Sequence, residues 1–213
     1  MLIPAFNEQR SIRKIVVSAK KYVDEVVVVN DHSTDSTERE ARDAGARVIA
    51  NALERGRQFA LLNGVKSIEN EIVVTLDGDG QHPPSMIPQL LEPIMMDQAD
   101  FVIGLRSRLP PSEKPLRKFA SLKLGWKGED PDVGSGFVAF KRKFLAEMQP
   151  EDLGFCSCGS FVLFAASRSA RITEVKFQVH PRLAGKSKFS HVRKSALHEK
   201  QLRFLRERYI PRI

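Results

Sequence analysis

Two carboxylates two residues apart, Asp77 and Asp79, stand in the segment Leu76-Asp77-Gly78-Asp79-Gly80-Gln81-His82. Hard divalent cations take oxygen ligands, and Mg2+ takes one or two carboxylates alongside phosphate oxygens. Gly78 and Gly80 let the backbone turn so that both side chains can reach one ion. Taken alone, the same residues equally describe an Asp-Gly turn closing a loop. His82 could add a ligand; ahead of two prolines it reads more simply as a surface residue. A second polar segment is Asn30-Asp31-His32-Ser33-Thr34-Asp35-Ser36-Thr37. It offers helix caps in Thr34 and Asp35, and Asp31 is its better candidate for holding a base or ribose. A third is Ile3-Pro4-Ala5-Phe6-Asn7-Glu8, which on its own is also an ordinary strand-to-helix turn.

Each segment follows a short apolar run that must position it. Val26 to Val29 is a β-branched run, 72–76 and 101–103 read the same way, and Leu2-Ile3 makes a very short strand. Helical stretches lie between them. Residues 11–22 place Ile12, Ile15, Val16 and Ala19 on one face, and 34–44 are rich in helix formers. Residues 57–68 space Leu61, Leu62, Val65 and Ile68 helically, and 84–96 open after two prolines. Strands alternating with helices imply an α/β fold, a mainly parallel sheet flanked by helices. Ligands in such sheets bind off the carboxyl ends of the strands. Beyond Arg106 the pattern loosens. A loop is expected at 109–112, a short basic helix at 116–124 with Phe119, Leu122 and Trp126 as apolar members, and strands at 136–140 and 174–179. Residues 195–208 form an amphipathic pattern, with Leu202, Leu205 and Tyr209 facing one way and Lys200, Arg203 and Arg206 another.

A chain of 213 residues fits one α/β domain with at most a small appendage. At 42% apolar and 28% charged residues it is not a wholly disordered chain. No apolar run approaches the ~20 residues that span a bilayer. No basic, apolar leader with a cleavage site opens the sequence, so no signal peptide is expected. Two cysteines, Cys156 and Cys158, are too few for a disulfide framework, so a reducing, cytoplasmic setting is the default. Without a second Cys or His pair they also make a poor zinc site. Charge is uneven: residues 171–213 carry 12 Lys/Arg against 3 Asp/Glu, and residues 1–170 carry 22 against 23. Such a basic end suits an anionic partner, whether substrate phosphates, a membrane surface or nucleic acid, or it is a solvated face with no partner. Aromatics are sparsely interleaved there and no nucleic-acid motif is present, so no nucleic acid is expected.

Taken together and in order, Pro-Ala-Phe-Asn-Glu, Val-Asn-Asp-His-Ser-Thr-Asp-Ser-Thr and Leu-Asp-Gly-Asp-Gly-Gln-His-Pro-Pro resemble the family 2 glycosyltransferases of the GT-A fold. The continuation resembles one branch more closely, the polyprenyl-phosphate sugar synthases such as dolichyl-phosphate mannose synthase. Its matching pieces are Val102-Ile103-Gly104-Leu105-Arg106, then Asp132 through Arg142, then Arg182-Leu183-Ala184-Gly185-Lys186-Ser187-Lys188. The resemblance implies a GT-A domain over 1–190, followed by a basic amphipathic helix or tail over 191–213. It implies that Pro4, Ala5, Asn7, Glu8, Asp31, Asp77 and Gly78 line a nucleotide-sugar pocket. Asp77 and Asp79 would hold Mg2+ or Mn2+, with Gln81 assisting. Asp79, Arg106 and Asp132 would serve catalysis, Asp132 lying near the transferred sugar. Arg106, Arg182, Lys186 and Lys188 would bind phosphates, the last three on a closing loop.

The implied reaction moves a hexose, mannose or glucose, from GDP-mannose or UDP-glucose to a polyprenyl or dolichyl phosphate with inversion. A family 2 transfer to a saccharide hydroxyl is the first alternative, and a non-catalytic anion- or nucleic-acid-binding protein the second. A nucleotidyltransferase is disfavoured, because Ala5-Phe6-Asn7-Glu8 is not a Gly-rich basic loop. There are departures from the family pattern. Only three residues precede Pro4, the stretch from Arg108 to Asp132 is short, and His32 and Ser36 stand where glycines are common. A lipid acceptor implies peripheral attachment at the cytoplasmic membrane face, or a membrane-embedded partner subunit. Lys200, Arg203, Arg206 and Arg208 near Leu202, Phe204, Leu205 and Tyr209 fit an interfacial helix, as do Lys118, Lys123 and Trp126 with Phe119 and Leu122. Either helix equally fits one packed on its own domain.

Overall fold

In the computed structural model, the described residues are 1–108, 111–127, 129–154, 157–184, 200–201, 203–205 and 207–208. Cys156, Lys186, Lys188, Leu202, Arg206 and Tyr209 lie outside them, as does the side chain of Cys158.

Short β-branched runs and one-faced helices alternate as the pattern requires. The chain runs β1 (Leu2–Ala5), α1 (Ile12–Ala19), β2 (Val27–Asn30), α2 (Thr37–Asp43), β3 (Arg47–Ala50), α3 (Arg57–Lys66), β4 (Ile72–Thr75), α4 (Ile87–Met95) and β5 (Phe101–Arg106). It continues through α5 (Lys114–Leu124), β6 (Val138–Lys141), α6 (Ser157–Ser167) and β7 (Ile172–Phe177). Two of these elements were not among the expectations. β3 is an edge strand that exposes Arg47 and Ala50 and buries Val48, so it shows almost no apolar periodicity. α6 is apolar all round, with Phe161, Val162, Leu163, Phe164 and Ala165 buried, so it has no polar face to reveal it.

The seven strands form one sheet in the order β3-β2-β1-β4-β6-β5-β7. β1 pairs parallel with β2 and β4, β2 with β3, and β5 with β7. β6 runs antiparallel to both of its neighbours, β4 and β5. The winding reverses between β1 and β4, which opens a crevice at their carboxyl ends. Because β6 runs the other way, the chain entering it arrives at that same edge. Residues 132–137 are thereby delivered beside the ends of β4 and β5, with Thr75 opposite Val138.

Side chains alternate between two cores, one on each face of the sheet. Leu2, Val27, Val29, Val73, Phe101, Ile103, Val138 and Phe140 face α3, α5 and α6. Ile3, Val28, Val74, Val102 and Ala139 face α1, α2 and α4. The predicted apolar face of α1, Ile12, Ile15, Val16 and Ala19, is buried as a unit. The helical residues 200–201, 203–205 and 207–208 fold back on the first core. Leu205 is fully buried there, and Gln201 donates to Ser160 Oγ at 3.0 Å. Lys200 and Arg203 stay exposed. No helix among the described residues is long and apolar enough to cross a membrane.

The end of the sheet opposite the crevice is fastened by one carboxylate. Asp100, just before β5, accepts from Arg171 Nε at 2.8 Å before β7 and from Lys141 Nζ at 2.8 Å at the end of β6. The Arg171 hydrogen bond is the largest effect; burial opposes it, and Lys141 adds to it, so that the carboxyl is held well below the usual carboxylate range. A carboxyl depressed in the folded state contributes stability that is present above its unfolded pKa and lost as pH falls through the folded value. Asp100→Ala should therefore cost about 1–3 kcal/mol near neutrality. In chemical denaturation, that difference from the parent should shrink as pH is lowered below about 4.

Candidate functional site

The acidic turn begins where β4 ends. Thr75 Oγ1 donates to the Gly136 carbonyl at 2.9 Å, locking the end of β4 to the entry of β6. Two residues later, Asp77 accepts from Arg57 Nε at 2.5 Å. Burial is the largest single effect and acts to raise the Asp77 carboxyl, but the charge and hydrogen bond of Arg57, with smaller help from His82 and Arg106, together hold the group below its ordinary value. This pair fits only because residue 136 has no side chain. A Cβ there would lie 2.5 Å from Arg57 Nη2 and 2.6 Å from Asp77 Oδ2. His82 closes the turn from behind. It is buried rather than on the surface, stacked on Phe137 at 5.4 Å, and its Nδ1 accepts the Asp77 N–H at 3.1 Å. Burial lowers its pKa, so it serves as a neutral acceptor. The expectation of a surface histidine fails because the Pro83-Pro84 turn packs the ring inward against Phe137 and Phe177.

The second carboxylate lies in the crevice. Asp79 accepts from the Gln81 N–H at 3.0 Å and pairs with Arg182 at 2.8 Å. Arg182 sits on a strap that follows β7 and crosses the turn. His180 N–H donates to the Gln81 carbonyl at 3.0 Å, and Leu183 N–H donates to the Asp79 carbonyl at 2.9 Å. Gly80 has φ +83, and a Cβ on it would come within 2.4 Å of Leu183, so the strap needs glycine there on both counts. Across the crevice Glu8 reaches Arg182 at 3.8 Å.

The ends of β1 and β2 complete the rim. Pro4 and Ala5 are buried in β1. Asn7, at φ 51, accepts the Thr34 N–H at 2.8 Å and donates its own N–H to Ser33 Oγ at 3.0 Å. Glu8 N–H donates to Thr37 Oγ1 at 2.7 Å. Ser11 Oγ donates to the Gly78 carbonyl at 2.7 Å, tying the start of α1 to the acidic turn. Asp31 is buried and turned toward the loop before α3, accepting from Asn51 Nδ2 at 2.8 Å and from the Gly56 N–H at 3.1 Å. His32 has φ 61, a conformation that favours glycine and that His tolerates better than most residues.

Beyond β5 lies a separate charge cluster. Arg106 donates from Nε at 2.8 Å and Nη2 at 2.7 Å to the two oxygens of Asp132, and its N–H adds a 3.1 Å bond. Nη2 also reaches Glu113 at 2.5 Å. Asp132 is fully buried, and its N–H donates to Glu174 at 2.7 Å. Burial raises the Glu174 carboxyl. The guanidinium expected to face phosphates is thus committed to two carboxylates here, and Asp132 orients Arg106 rather than pointing into the crevice.

The donor set bears on a metal ion. Among the described residues no three His, Cys, Asp or Glu side chains form a metal-binding group. Within the acidic turn, the carboxylates of Asp77 and Asp79 are the groups placed to meet an ion. That suits Mg2+ or Mn2+ completed by phosphate oxygens and water, and not a closed zinc site. Asp77 and Asp79 already pair with cations, Arg57 and Arg182, where a metal ion would bind. Gln81 contributes main-chain groups, its N–H to Asp79 and its carbonyl to His180.

The structure brings Glu8, Asp77, Gly78, Asp79, Gln81 and Arg182 to one crevice and sets Asp31 and Asn7 on its rim. Arg106 and Asp132 form the neighbouring cluster. Arg57, Asn51, Glu113 and Glu174 were not among the expected site residues. One signal for Arg57 was legible: a cation at the first position of a helix opposes the helix dipole, so it implies an anionic partner. Glu113, in the short stretch before α5, carried no such mark.

Residues 1–164 match the family model described as Glycosyl transferase family 2. A dolichol-phosphate mannosyltransferase of Pyrococcus furiosus is 27% identical over 207 residues, covering 88% of this chain and 58% of its own length. The chain thus spans less than two thirds of that relative. A dolichol-phosphate mannosyltransferase of Saccharomyces cerevisiae is 27% identical, covering 89% of this chain and 80% of its own. The crystal structure of glucosyl-3-phosphoglycerate synthase from Mycobacterium tuberculosis, in complex with Mn2+, uridine diphosphate and phosphoglyceric acid, has a TM-score of 0.77. It is 22% identical and covers 97% of this chain and 76% of that one, a likeness of fold.

Gly136→Ala should separate Arg57 from Asp77 and cost about 1–3 kcal/mol. Thermal unfolding of the variant checks it, and an unchanged melting temperature would refute the close approach.

Proposed function

The chain belongs to glycosyl transferase family 2, and on that footing we propose that it transfers a hexose, mannose or glucose, from a nucleotide sugar to a polyprenyl phosphate. In this reading the transfer needs Mg2+ or Mn2+ and inverts the anomeric carbon. The observation that carries the reading is the acidic turn at the switch point of the sheet, with Asp79 facing Glu8 and Arg182 across the crevice. The names of the Pyrococcus and yeast relatives support the acceptor class, and the Mycobacterium complex with Mn2+ and uridine diphosphate supports a cation and a nucleotide diphosphate as ligands of this fold.

The chemistry follows from charge. An oxygen of the acceptor phosphate attacks the anomeric carbon while the bond to the nucleotide diphosphate breaks, so negative charge moves to the leaving group. Asp79 and Asp77 would hold a divalent ion, which when bound would supply Lewis-acid neutralisation of that charge. The Arg182 guanidinium adds charged hydrogen-bond donors. An ionised phosphate needs no general base. Asp132 suits that requirement, because both of its oxygens are already occupied by Arg106 and it is fully buried. A base must instead lie within hydrogen-bond reach of the proton it takes.

One observation favours transfer to a saccharide hydroxyl instead. Asp132 and Glu113 together neutralise Arg106, which leaves that cation less able to attract an acceptor phosphate. For a lipid acceptor, α5 is the better membrane contact. Its Leu122 is 76% exposed between exposed Lys118 and Lys123, whereas Leu205 at 200–208 is buried in the core.

The test is transfer by purified protein with Mn2+ or Mg2+, GDP-mannose or UDP-glucose, and a short polyprenyl phosphate. A glycolipid product is expected, reduced about 100-fold or more in Asp79→Asn. Product on a saccharide hydroxyl alone would move the acceptor class. Full activity in Asp79→Asn would refute the role of the acidic turn.

A further inference from the structure

We propose that Arg182 is the resident counter-ion of the acidic crevice and is exchanged for the divalent cation when the donor loads. This rests on the metal-dependent reading above. Arg182 lies between Asp79, at 2.8 Å, and Glu8, at 3.8 Å, so its guanidinium fills the space between the ends of β4 and β1. The side chains of Asp79 and Glu8 are only 10% and 14% exposed, so solvent does little to compensate them. Asp79 gives one oxygen to the Gln81 N–H, and Arg182 takes the other. A second cation on that oxygen would meet the guanidinium at close range in a poorly solvated site, where like charges repel strongly. The two therefore compete for Asp79.

The strap gives the displaced side chain somewhere to go without unfolding. His180 and Leu183 fasten it by main-chain bonds to Gln81 and Asp79, and neither bond involves the Arg182 side chain. Arg182 can thus turn about an anchored backbone. Its planar fork fits a phosphate as well as a carboxylate, so the nucleotide diphosphate entering with the cation supplies its next partner. Arg57 is placed differently. It lies against Asp77 behind Gly136, where a single Cβ would already collide, and it keeps that carboxylate in position through the exchange.

Exchange predicts effects of opposite sign. In Arg182→Ala, Mn2+ alone should bind about tenfold tighter, because the competing cation is gone. GDP or UDP added with Mn2+ should bind about fivefold or more weakly, because the phosphate donor is gone. Both are read by titration calorimetry or by the spin-resonance signal of free Mn2+, without turnover. Arg182→Gln, which keeps polarity and removes charge, should behave the same way and serves if the alanine variant fails to fold. Weaker binding in both titrations would make Arg182 merely structural and overturn the exchange, as would no change in the titration with Mn2+ alone. A parent protein that binds no Mn2+, or an Asp79→Asn variant that binds it equally well, would instead remove the metal-dependent reading itself, and the exchange with it.

Discussion

The site depends on one strand that runs against the rest. β6 lies antiparallel between β4 and β5, so its entry, not its exit, reaches the carboxyl edge of the sheet. Gly136 then abuts Asp77 and Arg57, Phe137 supports His82, and Asp132 meets Arg106. A parallel β6 would send residues 132–137 to the far end and leave the acidic turn without a back wall. The Thr75–Gly136 hydrogen bond and the absent Cβ at 136 are the local terms that make this pairing close.

Charges in the site are compensated pairwise before any ligand arrives. Asp77 has Arg57, Asp79 has Arg182, and Asp132 and Glu113 share Arg106. Buried or half-buried carboxylates need such partners, since an uncompensated charge in a poorly solvated site is costly. A site built this way is stable when empty, but a ligand must replace compensation that already exists. The three pairs differ in how easily that happens. Arg106 is held by a bidentate bond and a second carboxylate, and Arg57 is walled in by residue 136. Arg182 rests on a strap fastened by its backbone.

Much of this was legible in the sequence. The β-branched runs, the one-faced helix α1 and the placement of three polar segments at strand ends give the parallel half of the sheet and the crevice. The carboxylates Asp77, Asp79, Asp31 and Glu8 announce themselves by residue type and position. Their partners do not. Arg57 is 20 residues from Asp77, and Arg182 follows β7, far along the chain from Asp79, so neither pairing leaves a local pattern. β3 and α6 were missed for opposite reasons, one too polar to show a core face and the other too apolar to show a surface. His82 illustrates the limit of reading a residue from its neighbours, because a following Pro-Pro can turn a ring inward as well as outward. The pattern at 195–208 leaves a membrane-facing and a core-facing helix equally open, and Leu205, on its apolar face, packs into the core.

The most direct test is a crystal structure of this protein with Mn2+ and a nucleotide diphosphate. The account predicts the diphosphate in the crevice between β1 and β4, the ion on Asp79, Arg57 still on Asp77, and Arg182 moved from Asp79 to a phosphate oxygen. A diphosphate bound elsewhere, or one bound in the crevice with Arg182 still paired to Asp79, would contradict it.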